Sequence, residues 1–543
     1  MKAKDRSIKT SRNHKRQLLA RSGAILLGFY FGATCELVLA GPEGGKVVGG
    51  EGSIGQAGLT TTISQQSQRL MLEWQTFDVA ANESVIFNQP GSTAVALNRI
   101  LDQNASEILG AIDANGRVFL INPNGIIFGS TATVNVGSLV ASSLNIDYED
   151  FLAGNYDFQT LADGSQGVVV NRGLLQASMG GSITLMGSAV SNEGLILAEL
   201  GQVTLAAGSS ASLDFGGDGL LFFEVTGEVL ENTGVLDSAV NNSGEISADG
   251  GQVLLTASTA RDVFTNVVNN DGIIRAQRID NTGGVIRLVG EGGNTISSGV
   301  IDASAGDAQS TGGTVEVLGD RVGLIGEAVV NASGATGGGT VKIGGGFQGN
   351  DPTVRNASTT FVGGDVSISA DAGAAGDGGE VIVWADDRTL FYGDISARGG
   401  SAGGAGGFAE VSGKQSLTFD GTVNLGGGTL LLDPNSITIQ AANPDINGDT
   451  TTGDDLANLT DLDDAALDFP GADSVITAAA PNTTEHLQEL SETLEGCLTE
   501  GQPRAVLDLQ EVALIDSLGL ELLLDVQENF EERAGTLKLA APN

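Results

Sequence analysis

Asn122-Pro123-Asn124-Gly125-Ile126-Ile127-Phe128-Gly129 is the stretch that decides the fold. Two Asn, a Pro and a Gly within four residues specify a tight turn. Pro fixes φ, Asn side chains bond nearby backbone, and Gly accepts φ > 0. Apolar β-formers flank it, Val118-Phe119-Leu120-Ile121 before and Ile126-Ile127-Phe128 after. The pattern predicts a buried strand, a turn and a second buried strand. Taken alone, such a turn is an ordinary piece of an all-β protein.

Working outward, five further blocks precede the turn: Gly49-Gly50-Glu51-Gly52-Ser53-Ile54, Trp74-Gln75-Thr76-Phe77-Asp78-Val79, Ala96-Leu97-Asn98-Arg99-Ile100, Ile108-Leu109-Gly110 and Ala114-Asn115-Gly116. In this order, and with the turn, they resemble the secretion domain of two-partner secretion exoproteins, the filamentous haemagglutinin and adhesin family. The resemblance implies a secreted right-handed parallel β-helix, handed across the outer membrane by a dedicated barrel transporter. It also implies that Asn115, Gly116, Asn122, Pro123, Asn124 and Gly125 lie nearest the step of transporter recognition and folding nucleation. The family's other turn motif, Asn-Pro-Asn-Leu, has no literal copy in this chain.

Downstream, from about 165 to 435, two short elements recur. One is Asn-x-Gly followed by apolar residues and Ala, at Asn171-Arg172-Gly173, Asn192-Glu193-Gly194, Asn242-Ser243-Gly244 and Asn270-Asp271-Gly272. The other is Gly-Gly-x-Val/Ile, at Gly250-Gly251, Gly283-Gly284, Gly312-Gly313, Gly338-Gly339 and Gly378-Gly379. Turns recurring before short strands suit the coils of a β-solenoid. The spacing predicts about 15–18 coils and a rod of roughly 70–90 Å. None of the Gly pairs opens a helix or carries the Lys of a phosphate loop. Trp74 and Phe77 are expected in the core or under an end cap, because an open solenoid end exposes strand edges and apolar interior.

Composition agrees with an exported β-rod. The formal charge is −41. Residues 1–40 hold 8 of the 26 basic and 2 of the 67 acidic residues, so the remainder carries −47. Such acidity keeps a long β surface soluble and argues against nucleic-acid binding. Lys2, Lys4, Arg6 and their neighbours, the apolar run Gly23–Ala33, and Val38-Leu39-Ala40 read as a signal peptide over 1–40. The two cysteines, Cys35 and Cys497, leave no internal disulfide after its removal. The only histidines are His14 and His486, so the rod lacks His triads and His metal sites. The chain is therefore read as a non-enzyme without cofactor or metal. Its partners are the outer-membrane transporter and a host-cell or surface glycan or protein. A β-helix carbohydrate enzyme built on paired carboxylates is the alternative in that class. The sequons at Asn82, Asn104, Asn331 and Asn356 are candidate glycosylation positions.

The expected organisation is a signal peptide over 1–40, a secretion domain over 41–300, further coils over 301–440, an acidic linker over 441–480 and a small α/β segment over 481–543. The stretch from Gly393 to Ile439 also resembles the haemagglutinin family, with Asp433-Pro434-Asn435 as another corner. Asp445-Ile446-Asn447-Gly448-Asp449 has some character of a calcium loop, but its Gly is misplaced for an EF-hand. In the last segment Asp516-Ser517-Leu518-Gly519 resembles the signature of STAS domains, and Ser517 matches that family's phosphorylated serine at a helix N-terminus. A STAS-type regulator with an N-terminal β-helix is thus the second alternative function.

Overall fold

The computed structural model describes residues 41–432, apart from 163, 165 and 216–220, together with the backbone of short strands at 437–440, 475–478, 504–508 and 536–540. The expected signal peptide, the calcium-like loop at 445–449, Ser517 and the helices of the STAS-like segment lie outside the described residues.

Each coil contributes one strand to each of three sheets. The first sheet has 14 strands, from Lys46–Gly49 to Thr429–Leu431, and the second has 14, from Gly52–Ala57 to Thr422–Asn424. The third has 13, beginning at Ser106–Ile108. Within the stack neighbours are parallel and in register, with one shift between Asn266 and Val268 where Asn266–Asn270 meets Asn294–Ser297. Leu120 lies opposite Ala141, then Leu185, Leu205, Leu255, Leu288, Val317, Ile343, Val383 and Val411 in successive coils. All are buried in one continuous core. Burying each Val or Leu contributes about 1.5–3 kcal/mol, and a one-residue slip would turn the whole column outward. This is the parallel β-helix expected from the turn and the repeat.

The stack is shorter than the repeat spacing implied. Strands about 4.8 Å apart put the first sheet's parallel run, Arg69–Trp74 to Thr429–Leu431, over about 60 Å. The reason is that several coils carry excursions. The largest build a separate antiparallel sheet from Asn145–Ile146, Tyr156–Gln159, Ser210–Phe215 and Leu221–Gly227. A helix, Tyr148–Ala153, joins its first two strands. Asp147 caps the helix by accepting the Glu149 and Asp150 N–H groups, and Gly154 closes it at φ 91. Phe119, Phe151, Tyr156, Phe158 and Leu213 form a second core between this sheet and the outer face of the first. At the margin Tyr148 donates its hydroxyl to Glu73 Oε1 at 2.6 Å, and Arg99 lies 3.7 Å from its ring centroid.

The N-terminal end is capped. Lys46–Gly49 pairs antiparallel with Arg69–Trp74, and Gly52–Ala57 with Thr60–Gln65, so the first coil's edges are covered by reversed strands. Trp74 and Phe77 are each 1% exposed inside this capped coil, edge to face with centroids 5.4 Å apart.

Candidate functional site

The six motif residues occupy two corners, one at each end of strand Arg117–Ile121. Five residues of strand separate them by roughly 17 Å, so they are two sites rather than one patch.

The first corner is Asn115-Gly116. The Asn115 side chain docks on the backbone of the preceding coil: its Oδ1 accepts the Gln89 N–H at 2.8 Å and its Nδ2 donates to the Gln89 carbonyl at 2.9 Å. Gln89 is itself buried and donates to Gln65 Oε1, Ala94 O and Arg117 O. Gln65, Gln89 and Asn115 thereby tie successive coils together. Gly116 is required by space, since a Cβ there would lie 2.7 Å from Gln89 Oε1 and 2.8 Å from Ala94 O.

The second corner is Asn122-Pro123-Asn124-Gly125. Asn122 is wholly buried. Its Oδ1 accepts the Asn124 N–H at 3.0 Å, and its carbonyl accepts the Gly125 N–H at 2.9 Å, closing the turn. Its Nδ2 reaches back one coil to Asn104 O and Ser106 Oγ, both at 3.0 Å. The Pro123 carbonyl accepts the Gly167 N–H of the following coil at 3.0 Å. Asn124 is exposed and donates to Asp102 O at 2.8 Å. Gly125 takes φ 111, and a Cβ there would sit 2.7 Å from Val168 O.

No titratable group belongs to either corner. Four of the six residues, Gly116, Asn122, Pro123 and Gly125, are buried, and only Asn115 and Asn124 are exposed. Such an arrangement joins coils and has nothing with which to perform covalent chemistry. Among the described residues no group of three or more His, Cys, Asp or Glu is placed to hold a metal ion.

Partners outside the quoted motif residues complete the corners: Gln65, Gln89, Asp102, Ser106 and Gly167. Asn98, in another of the quoted blocks, is a further tie between coils. It is fully buried, accepts the Trp74 indole N–H at 3.0 Å and donates to Ala96 O and Phe119 O. The available signal was a polar residue inside an apolar strand, which must be satisfied internally. Of the sequons, Asn82 and Asn104 are exposed, whereas Asn356 donates to Gly349 O and Asp386 Oδ1.

Residues 40–303 match the TPS secretion domain family. Residues 465–543 match the family described as Mlab, STAS domain. Two curated relatives, both named heme/hemopexin-binding protein and from Haemophilus influenzae, are similar. One is 36% identical over 191 residues, covering 34% of this chain and 21% of the relative. The other is 39% identical over 97 residues, covering 18% and 10%. The chain thus spans about a fifth or less of the relatives it matches. The crystal structure of the HMW1 secretion domain from Haemophilus influenzae superposes with a TM-score of 0.61 at 29% identity, covering 72% of this chain and all of that domain.

Proposed function

We propose, from the premise that the chain belongs to the two-partner secretion exoproteins through residues 40–303, that it acts as an adhesin. In this reading residues 41–300 address an outer-membrane barrel transporter, and residues 301–440 extend the rod. The chain is secreted or held at the cell surface.

One observation carries the assignment of the two corners. Asn122, Pro123, Gly125 and Gly116 are buried in the folded coils, so a transporter that reads them meets them before the coils close. Closure then joins Asn122 to the coil before it and Pro123 to the coil after it. Recognition and nucleation become successive uses of the same residues. Folding that adds one coil at a time outside the membrane supplies a direction for export without a nucleotide.

The ligand we favour is a host-cell or surface protein or glycan. The curated relatives are named for heme and hemopexin. Between residues 41 and 440 this chain has no His and no Cys, two of the side chains that hold haem iron, and the ligand proposed for the rod is a macromolecule. The same stretch lacks the commonest general base, His, and the role proposed for the rod is non-enzymatic.

Export tests the proposal. The chain is expressed with and without its transporter, beside Asn122→Ala, and mature protein beginning near Gly41 is sought in the medium. Partner-dependent release, weakened by Asn122→Ala, is expected. Retention inside the cell in every case would remove the exoprotein reading and favour the STAS-type regulator.

A further inference from the structure

Residues 344–358 leave the first sheet after Thr340–Ile343 and rejoin the stack at Thr359–Val362. Within this loop Phe347–Gly349 forms a 3-10 turn in which Gln348 takes φ 53, ψ 20. That left-handed conformation is uncommon and costly for a residue with a side chain. Two anchors hold it. The Gln348 N–H donates to Oε2 of Glu410, which is wholly buried, at 3.0 Å. Gly349 lies so close to the Trp384 indole that a Cβ would sit 2.6 Å from the ring. The turn thereby presents Phe347 at 45% exposure on the outer face of the first sheet. Its ring centroid is 5.8 Å from that of Phe408, with 61° between the planes. Folding gains little from a large apolar ring held in water by a strained, anchored backbone, whereas a binding site gains a rigid anchor.

Charged residues run along the same face of the first sheet. Glu380 is the register partner of Phe408 on the neighbouring strand. Asp351 packs against Gly346 and pairs with Lys342 at 3.6 Å. Lys342 lies 3.7 Å from Glu316, which pairs with Arg287 at 2.7 Å. Glu316 is held by Arg287 and Lys342 and Glu410 is buried beneath the loop, which leaves Glu380 and Asp351 nearest solvent on this face, within a chain of formal charge −41. Two inclined aromatic rings beside the register-paired Glu380 are chemically suited to an organic cation. The ring faces attract positive charge, and the carboxylates accept its N–H groups.

We infer that Phe347 and Phe408, flanked by Glu380 and Asp351, form a docking site for an arginine or lysine side chain from a basic segment of a partner protein. A guanidinium or ammonium fits better than a quaternary ammonium headgroup, which has no N–H to give the carboxylates. The inference rests on the adhesin reading for where the partner is met; the binding itself is a property of the purified chain.

The test is a fluorescence-anisotropy titration of the full chain with a labelled arginine-rich peptide at about 0.15 M salt, where long-range attraction to the acidic rod is screened. The wild-type chain binds saturably. Phe347→Ala weakens binding about fivefold or more, though it leaves the net charge unchanged. Glu380→Gln also weakens it, Phe347→Trp retains it, and phosphatidylcholine vesicles do not compete. Unchanged thermal melting of Phe347→Ala establishes that the variant is folded, as its exposed ring leads one to expect. Equal affinity for wild type and Phe347→Ala would overturn the site in favour of bulk electrostatics. Displacement of the peptide by vesicles, or binding to vesicles alone, would overturn the basic side chain as its occupant. The export assay is independent: Phe347→Ala is expected to leave the cell like wild type, so failure of export and failure of binding are read separately.

Discussion

The Asn192 side-chain amide donates to the Asn242 side-chain oxygen at 2.8 Å, and both residues are wholly buried. This contact is one rung of a ladder. Asn171 donates to Asn192 and Asn242 to Asn270, each at 2.8 Å, and Asn270 ends the series on Ser297 Oγ at 3.1 Å. The Gly of each Asn-x-Gly unit lets adjacent coils approach. A Cβ at Gly194, Gly244 or Gly272 would lie 2.2–2.3 Å from the carbonyl oxygen of the preceding unit's Gly. The amides stand in an apolar core where an unmade hydrogen bond is costly. Asn242→Ala strands the Asn192 donor and the Asn270 acceptor together. It is expected to cost about 2–3 kcal/mol, read from the shift of the guanidinium unfolding curve. Asn242→Ser should cost less, since Ser297 shows that a hydroxyl can take the rung. A loss under about 0.5 kcal/mol for Asn242→Ala would mean that the ladder adds nothing to stability.

The turn at Asn122–Gly125 separates a backbone requirement from a surface contact. Gly125 needs φ 111 and the room beside Val168 O. Asn124 contributes an exposed side-chain bond to Asp102 O. Gly125→Ala is therefore expected to cost more than ~1 kcal/mol, and Asn124→Ala no more than ~1 kcal/mol. Equal losses for the two variants in the same unfolding experiment would contradict this account of the turn.

The coil architecture was legible because corners and inward positions repeat. Asn192-Glu193-Gly194 and Gly250-Gly251 announce bends, and the Val or Ile that follows each Gly pair, at Val253, Ile286, Val315, Val341 and Val381, marks one inward column. The asparagines read locally as turn formers. Their role as a buried ladder depends on coil-to-coil register, which no single repeat contains. The same limit hid the second core, where Phe158 pairs with Ala211 across more than 50 residues and the joining helix is only six residues long. It also hid the pairing of Phe347 with Phe408. At Asn122–Gly125 the residue types indicated the turn, whereas Asn115-Gly116 entered through the family resemblance. Their partners Gln89, Asn104, Ser106 and Gly167 come from other coils and appear only once the register is known.

Tyr148 marks where the second core meets the rod, and it makes that junction sensitive to alkali. Its pKa is pushed from 10.0 up to about 12, first by burial and then by the hydrogen bond to Glu73. The nearby Arg99 works in the opposite direction. The folded state therefore holds this proton more tightly than the unfolded chain does. Its contribution to stability is complete below pH about 10 and is lost as pH rises from there towards about 12. Titration followed by phenolate absorbance should show a step near pH 12 that loses one tyrosine's amplitude in Tyr148→Phe, the remainder belonging to Tyr392, which burial also raises to about 12. Glu73→Gln removes the neighbouring negative charge and weakens the acceptor, so the step should move to lower pH. Ionisation of Tyr148 near pH 10 in the wild-type fold would show that the helix Tyr148–Ala153 does not shield its ring, and would remove the alkaline sensitivity at this junction.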